Sequence, residues 1–190
     1  MRHPGRGGLN RVGQGDDIPS MSIAADPVAH EISPLPDVQA TPAVCLLPTR
    51  ATLLDRIAGQ TAASDASPAA LVLVGLLRRD TGWPLPASHL DQVAAALSAS
   101  LRGSDWLARS GPSEFAVLLG AAAHHAETAA DRLLEVVADA GVPGLTACAG
   151  IAGLSPDASP SEVHRRATLC LTAARSIGGQ RVIRYSGTRR

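Results

Sequence analysis

The sequence predicts an α+β fold in which a central, antiparallel-rich sheet is packed by flanking helices. Three observations carry this expectation. A continuous apolar run, Ala69 to Leu77, reads as a strand covered on both faces. Short apolar stretches on either side of Gly111-Pro112 read as a hairpin. Several other segments place apolar residues at steps of three and four, the period of a one-sided helix.

Taken in order, residues 1–40 are rich in Gly, Pro, Ser and Asp without sustained periodicity, and are expected to form a disordered leader. The domain is expected over residues 41–186, followed by a tail at 187–190. A helix at about 49–59 starts after Pro48-Thr49 and groups Leu53, Leu54 and Ile57. The first core strand, Ala69 to Leu77, follows Pro68. The next helix, about Ser88 to Leu101, carries the stripe Leu90, Val93, Ala94, Leu97 and Leu101, and Arg102-Gly103 should end it. The hairpin strands run near Asp105 to Arg109 and Glu114 to Leu119, with Phe115, Val117 and Leu119 on one face of the second. A helix at about His125 to Ala140 ends at Gly141 and Pro143, and a strand Leu145 to Ala152 follows. The last helix, Ser161 to Ser176, turns Val163, Ala167, Cys170, Leu171 and Ala174 inward before a final strand Arg181 to Tyr185. This order describes an α+β sandwich related to the ferredoxin-like plan.

Composition narrows the function classes. The 190 residues carry 17 basic and 17 acidic side chains, all the basic ones arginine, so no global field favours nucleic acid or an anionic membrane. Cys45, Cys148 and Cys170 have neither metal-type spacing nor a disulfide framework, and a reduced cytoplasmic setting is expected. No apolar run approaches the ~20 residues of a membrane span. Aromatics are 2 % of the chain, so Leu, Val, Ile and Ala must build the core.

Several signatures, in order, give a family resemblance. Leu47-Pro48-Thr49-Arg50 is similar to an opening L-P-N-R, and Leu145 to Ala152 (LTACAGIA) to a V-T-V-S-I-G-V-A strand. Ala174-Arg175, Gly178 and Arg181-Val182 are similar to a closing A-K-R-x-G-R-N-R-V. Gly111-Pro112-Ser113-Glu114-Phe115 stands in the place of Gly-Gly-Asp/Glu-Glu-Phe. Over roughly residues 46–182 the chain resembles the GGDEF domain of bacterial diguanylate cyclases, of nucleotide-cyclase palm architecture, which join two GTP molecules into cyclic di-GMP.

That reaction is phosphoryl transfer and calls for divalent metal held by convergent carboxylates. The resemblance puts one ligand at Gly75, which has none to offer, and another at Ser113, a neutral hydroxyl; Glu114 is retained. Pro112 replaces a glycine and removes an N–H where phosphate would approach. The segment RRDTGWPLPASH is shorter than the family's guanine-reading loop and lacks its Asn and Asp; Asp80, its lone carboxylate, lies beyond the strand. Thr168 and Thr172 also depart from the pattern. The expectation is a degenerate, inactive domain with no Mg²⁺ site.

The other end of the first hairpin strand keeps its parts. Arg102-Gly103-Ser104-Asp105 matches the family's Arg-x-x-Asp product-inhibition site, and Ala130-Asp131-Arg132-Leu133 matches the A-E-R-L that lends a second arginine. A guanidinium can donate two parallel bonds to guanine O6 and N7, and a carboxylate can accept from N1–H and the amino group. The resemblance thus implies cyclic di-GMP binding by Arg102, Asp105 and Arg132. The same residues also admit a structural reading, with Arg102 complementing a helix dipole, Gly103 as a cap and Asp105 pairing across the turn. Other residues point elsewhere: His124-His125 to surface polarity, Arg175 to residual anion affinity, Cys148 and Cys170 to the core. The alternative functions are a ligand-free dimerisation or partner-binding module and, third, a weakly active cyclase.

Overall fold

A computed structural model describes residues 46–62, 69–79, 84–120 and 125–187. The expected leader, Cys45, Asp80, Trp83, His124 and residues 188–190 lie outside the described residues.

The elements follow the predicted order: α1 (Arg50–Ala62), β1 (Ala70–Arg78), α2 (Ala87–Ser100), β2 (Trp106–Gly111), β3 (Glu114–Leu119), α3 (Ala126–Asp139), β4 (Leu145–Gly153), α4 (Pro160–Ile177) and β5 (Val182–Arg184). They form an α+β fold around a mixed five-stranded sheet of order β2-β3-β1-β4-β5. β1 lies at the centre, antiparallel to both β3 and β4; β2 and β3 are an antiparallel hairpin, and β5 joins β4 in parallel.

A central strand with helices on both sides must be apolar on both faces. Ala70, Val72, Val74 and Leu76 pack with Leu90, Val93 and Leu97 of α2 and Ala130, Leu133 and Val137 of α3. Leu71 and Leu73 pack on the opposite face with Leu53 and Ile57 of α1 and Val163, Ala167, Leu171 and Ala174 of α4. Each such large aliphatic side chain contributes roughly 1.5–3 kcal/mol on full burial. In β3, Phe115, Val117 and Leu119 share one face as expected and enter the first cluster, while Ala116 and Leu118 on the other face enter the second. Sheet order explains this, because β3 lies inside β2 and inherits the same double cover as β1.

Two glycines explain local geometry. Gly141 takes φ +75° just after α3, the left-handed conformation expected of a helix stop. At Gly150 in β4 an added Cβ would collide with the α4 backbone at Ala167 and Leu171, so α4 crosses the sheet at contact distance there. The expected cap at Gly103 is a correction: α2 ends at Ser100, with Leu101 extended at φ −81° and ψ 153°, and Gly103 is not in the left-handed region. The chain leaves α2 directly into the turn that carries Asp105.

The β2–β3 hairpin closes through Pro112-Ser113, neither of which has positive φ. Turns of that hand fit the twist of paired strands poorly, and the register shift between Arg109 and Gly111 absorbs the mismatch. Arg109 reinforces the closure, its Nε donating to the Gly111 carbonyl at 3.2 Å and Nη2 to that of Pro112 at 3.3 Å.

Candidate functional site

β2 separates two sets of polar side chains. At its start, the turn after α2 is tied by Asp105 N–H donating to the Arg102 carbonyl at 2.9 Å. The Asp105 carboxylate accepts from the Arg102 backbone N–H at 3.1 Å and, through its other oxygen, from the Gly120 N–H at 3.1 Å. These bonds fix the carboxylate's direction, and each oxygen keeps a further lone pair for another donor. The pairing expected across the turn is therefore made by the Arg102 backbone, which leaves its guanidinium for other contacts.

Arg102, Asp105 and Arg132 line one pocket of about 250 Å³, completed by Leu119, His125, Thr128 and Ala129. α3 supplies Thr128, Ala129 and Arg132 at helical steps of one face, while its opposite face enters the core. From the sequence His125 and Thr128 are not singled out as pocket residues; their spacing to Arg132, at steps of three and four along one helical face, is the signal that marks them.

The hairpin end differs in kind. Gly75 of β1 stands opposite Glu114 of β3 and Cys148 of β4, so these positions share one row across the sheet. Arg175 reaches over that row from α4 and donates to Glu114 Oε1 at 2.7 Å. A Cβ at Gly75 would lie 2.7 Å from Arg175 Nη2 and 2.9 Å from Leu171 Cδ1, so guanidinium and leucine fill the space a side chain there would need. Cys148 is buried in the same row; burial pushes its thiol pKa up, and the adjacent Arg175 guanidinium pulls in the opposite direction. Ser113 lies in the turn, its carbonyl accepting from Leu76 N–H at 2.9 Å.

Phosphoryl transfer requires convergent oxygen donors for Mg²⁺. Here the donor row holds glycine, a carboxylate already paired with a guanidinium, and a buried thiol, a set that does not fit such a cation. Among the described residues no group of three or more His, Cys, Asp or Glu gathers in a metal-holding arrangement. No described helix is long and apolar enough to cross a membrane. Cys148 and Cys170 are both free thiols in the core, as their apolar faces predict.

A third polar cluster was not foreseen. His164 of α4 is 5 % exposed, and its Nε2 lies 3.0 Å from Ser110 Oγ on β2. Its Nδ1 is 3.3 Å from Thr168 Oγ1, which donates to the His164 carbonyl at 2.9 Å. Burial first, and the Arg50 guanidinium second, push the imidazole pKa below its usual 6.5, with Glu114 opposing.

Comparison with known proteins places this geometry. The family profile described as "Diguanylate cyclase, GGDEF domain" matches residues 82–181. A search of curated proteins gives no match. Among solved structures, the FimX GGDEF domain from Pseudomonas aeruginosa is 28 % identical with TM-score 0.61, over 75 % of this chain and 96 % of that one. The GGDEF domain of DgcB from Caulobacter crescentus, in complex with c-di-GMP, is 21 % identical with TM-score 0.62, over 74 % and 90 %. The diguanylate cyclase SiaD from Pseudomonas aeruginosa, in complex with its activator SiaC, is 22 % identical with TM-score 0.62; 76 % of this chain aligns, spanning 60 % of SiaD. The last two likenesses speak for the fold alone. The profile match covers more than half of the chain and includes both ends of the β2–β3 hairpin, so the chain belongs to the GGDEF domain family.

Proposed function

We propose that this GGDEF domain is catalytically inactive, holds no magnesium, and acts in cyclic di-GMP signalling by binding the dinucleotide through Arg102, Asp105 and Arg132. The observation that carries the reading is the pocket those residues line together. Asp105 is pre-oriented by backbone N–H groups to accept from a guanine edge, and the guanidinium groups of Arg102 and Arg132 supply donors for guanine and phosphate. The DgcB structure holds c-di-GMP on a domain of this fold.

Inactivity draws support from the other end. Arg175 replaces a divalent cation's charge beside Glu114 and occupies the volume over Gly75, while Pro112 and Ser113 leave the turn without a carboxylate. Calorimetric titration of the full chain with cyclic di-GMP tests the binding; saturable heat that is lost in Arg102→Ala is expected, and no saturation at tens of micromolar would falsify it. Incubation with GTP and Mg²⁺ or Mn²⁺ tests the inactivity, and formation of cyclic di-GMP would sink that half.

A second reading, a homodimerising or partner-binding platform, is favoured by Leu169 and Ile177, which are 51 % and 62 % exposed on the outer side of α4. A concentration-dependent oligomer abolished by Leu169→Glu, with no response to nucleotide, would select it.

A further inference from the structure

At the far end of β2 from the Arg102 pocket, Leu47, Thr49, Arg50, Arg109, Ser110, Gly111 and Pro112 line an open groove of about 380 Å³. We propose that it binds a phosphate monoester bearing an apolar substituent, with Arg50 and Arg109 on the phosphate and Leu47 and Pro112 against the substituent. This site is independent of the cyclic di-GMP reading and shares no lining residue with that pocket.

Charge is the first argument. Among the described residues, neither Arg50 nor Arg109 forms an ion pair. Arg109 spends Nε and one Nη2 bond on the neutral carbonyls of Gly111 and Pro112, which fix the plane of its guanidinium without cancelling the charge. Its remaining N–H groups make no further hydrogen bond among the described residues, and a planar, pre-oriented guanidinium suits phosphate oxygens. Arg50 is the first residue of the 13-residue α1, so the helix dipole adds positive potential at the same wall.

The Ser110–His164–Thr168 chain is the second. Thr168 spends its proton on the His164 carbonyl, so its oxygen accepts from Nδ1–H, and Nε2 of the neutral ring accepts from Ser110. Protonating the ring reverses the last bond: Nε2–H donates to Ser110 Oγ and the hydroxyl proton turns to the groove. The charged groups acting on His164 are Arg50 of α1, which opposes its protonation, and Glu114 of β3, which favours it. An anion at Arg50 offsets that guanidinium, so binding takes up a proton.

Calorimetric titration of the full chain with phenyl phosphate, inorganic phosphate and phenol checks the proposal. Phenyl phosphate should saturate and bind more tightly than phosphate, while phenol should not bind. Arg50→Gln should weaken phenyl phosphate roughly tenfold, Arg50→Lys less so, and Arg181→Gln not at all. Repeating the titration in buffers of different ionisation enthalpy should show proton uptake that disappears in His164→Leu, with circular dichroism confirming that each variant is folded. Absence of saturation by about ten millimolar, or unchanged affinity in folded Arg50→Gln, would overturn the site; equal affinity for phosphate and phenyl phosphate would overturn its apolar half.

Discussion

Arg175 donates to Glu114 at 2.7 Å from a position over the backbone of Gly75. The contact joins α4 to β3 across β1 and fills the row where the family resemblance implies a metal-binding carboxylate. Its consequences are open to measurement through the residue beneath it.

Replacing Gly75 with alanine forces Arg175 and Leu171 aside, because the new Cβ meets both below 3.0 Å. Overpacking of this size costs about 1–2 kcal/mol, tempered here by the flexibility of the arginine. The penalty should shrink when Arg175→Ala is added, since half of the collision disappears. Urea midpoints at constant m for the four corners of this cycle read the coupling directly; strict additivity would show that the contact is not made.

His164 makes stability depend on pH. Its folded pKa lies below the unfolded value near 6.5, so the folded state resists protonation. The contribution is fully present above about pH 6.5 and is lost as pH falls through the folded pKa. Thermal midpoints should therefore fall between about pH 7 and about pH 5, and His164→Leu should flatten that part of the profile. An unchanged slope in the variant would assign the acid sensitivity to another group.

Ser159 caps α4, its Oγ accepting from Glu162 N–H at 3.2 Å, and the Glu162 carboxylate pairs with both Arg165 and Arg166. Hydrogen bonds from Arg165 and then Arg166 hold the Glu162 carboxyl down at about 2. Ser159→Ala should cost about 1 kcal/mol, seen as a lower urea midpoint without a change in the final fold.

Asp105 should separate folding from recognition. Asp105→Ala removes the side-chain acceptor of two exposed backbone N–H groups, those of Arg102 and Gly120, and is expected to cost about 1 kcal/mol in denaturant unfolding. Arg132→Ala, on the exposed side of α3, should leave the midpoint nearly unchanged and weaken cyclic di-GMP about tenfold or more by calorimetry. Loss of stability in both variants to the same degree would contradict this division.

Much of the fold is legible in the sequence because burial leaves a periodic imprint. Ala69 to Leu77 announces a doubly covered strand by its unbroken apolar run, and the stripes on α2, α3 and α4 announce one-sided helices. The run Phe115 to Leu119 carries the same unbroken apolar signal, and the sheet order, with β3 between β2 and β1, accounts for its burial on both faces. Gly103 misled because a glycine after a helix is permissive, and the turn required by Asp105 sets the exit instead.

The sequence by itself determined the order of elements, the family signatures, the Arg102–Asp105 pair and the substitutions at Gly75, Pro112 and Ser113. It could do so because spacing along one chain segment survives in the primary structure. Only the tertiary structure decided that His125 and Thr128 line the pocket shared by Arg102 and Arg132, that Arg175 covers Gly75, and that Ser110 meets His164. Those contacts form between elements far apart in sequence, and their distances are set by how α3 and α4 pack on the sheet.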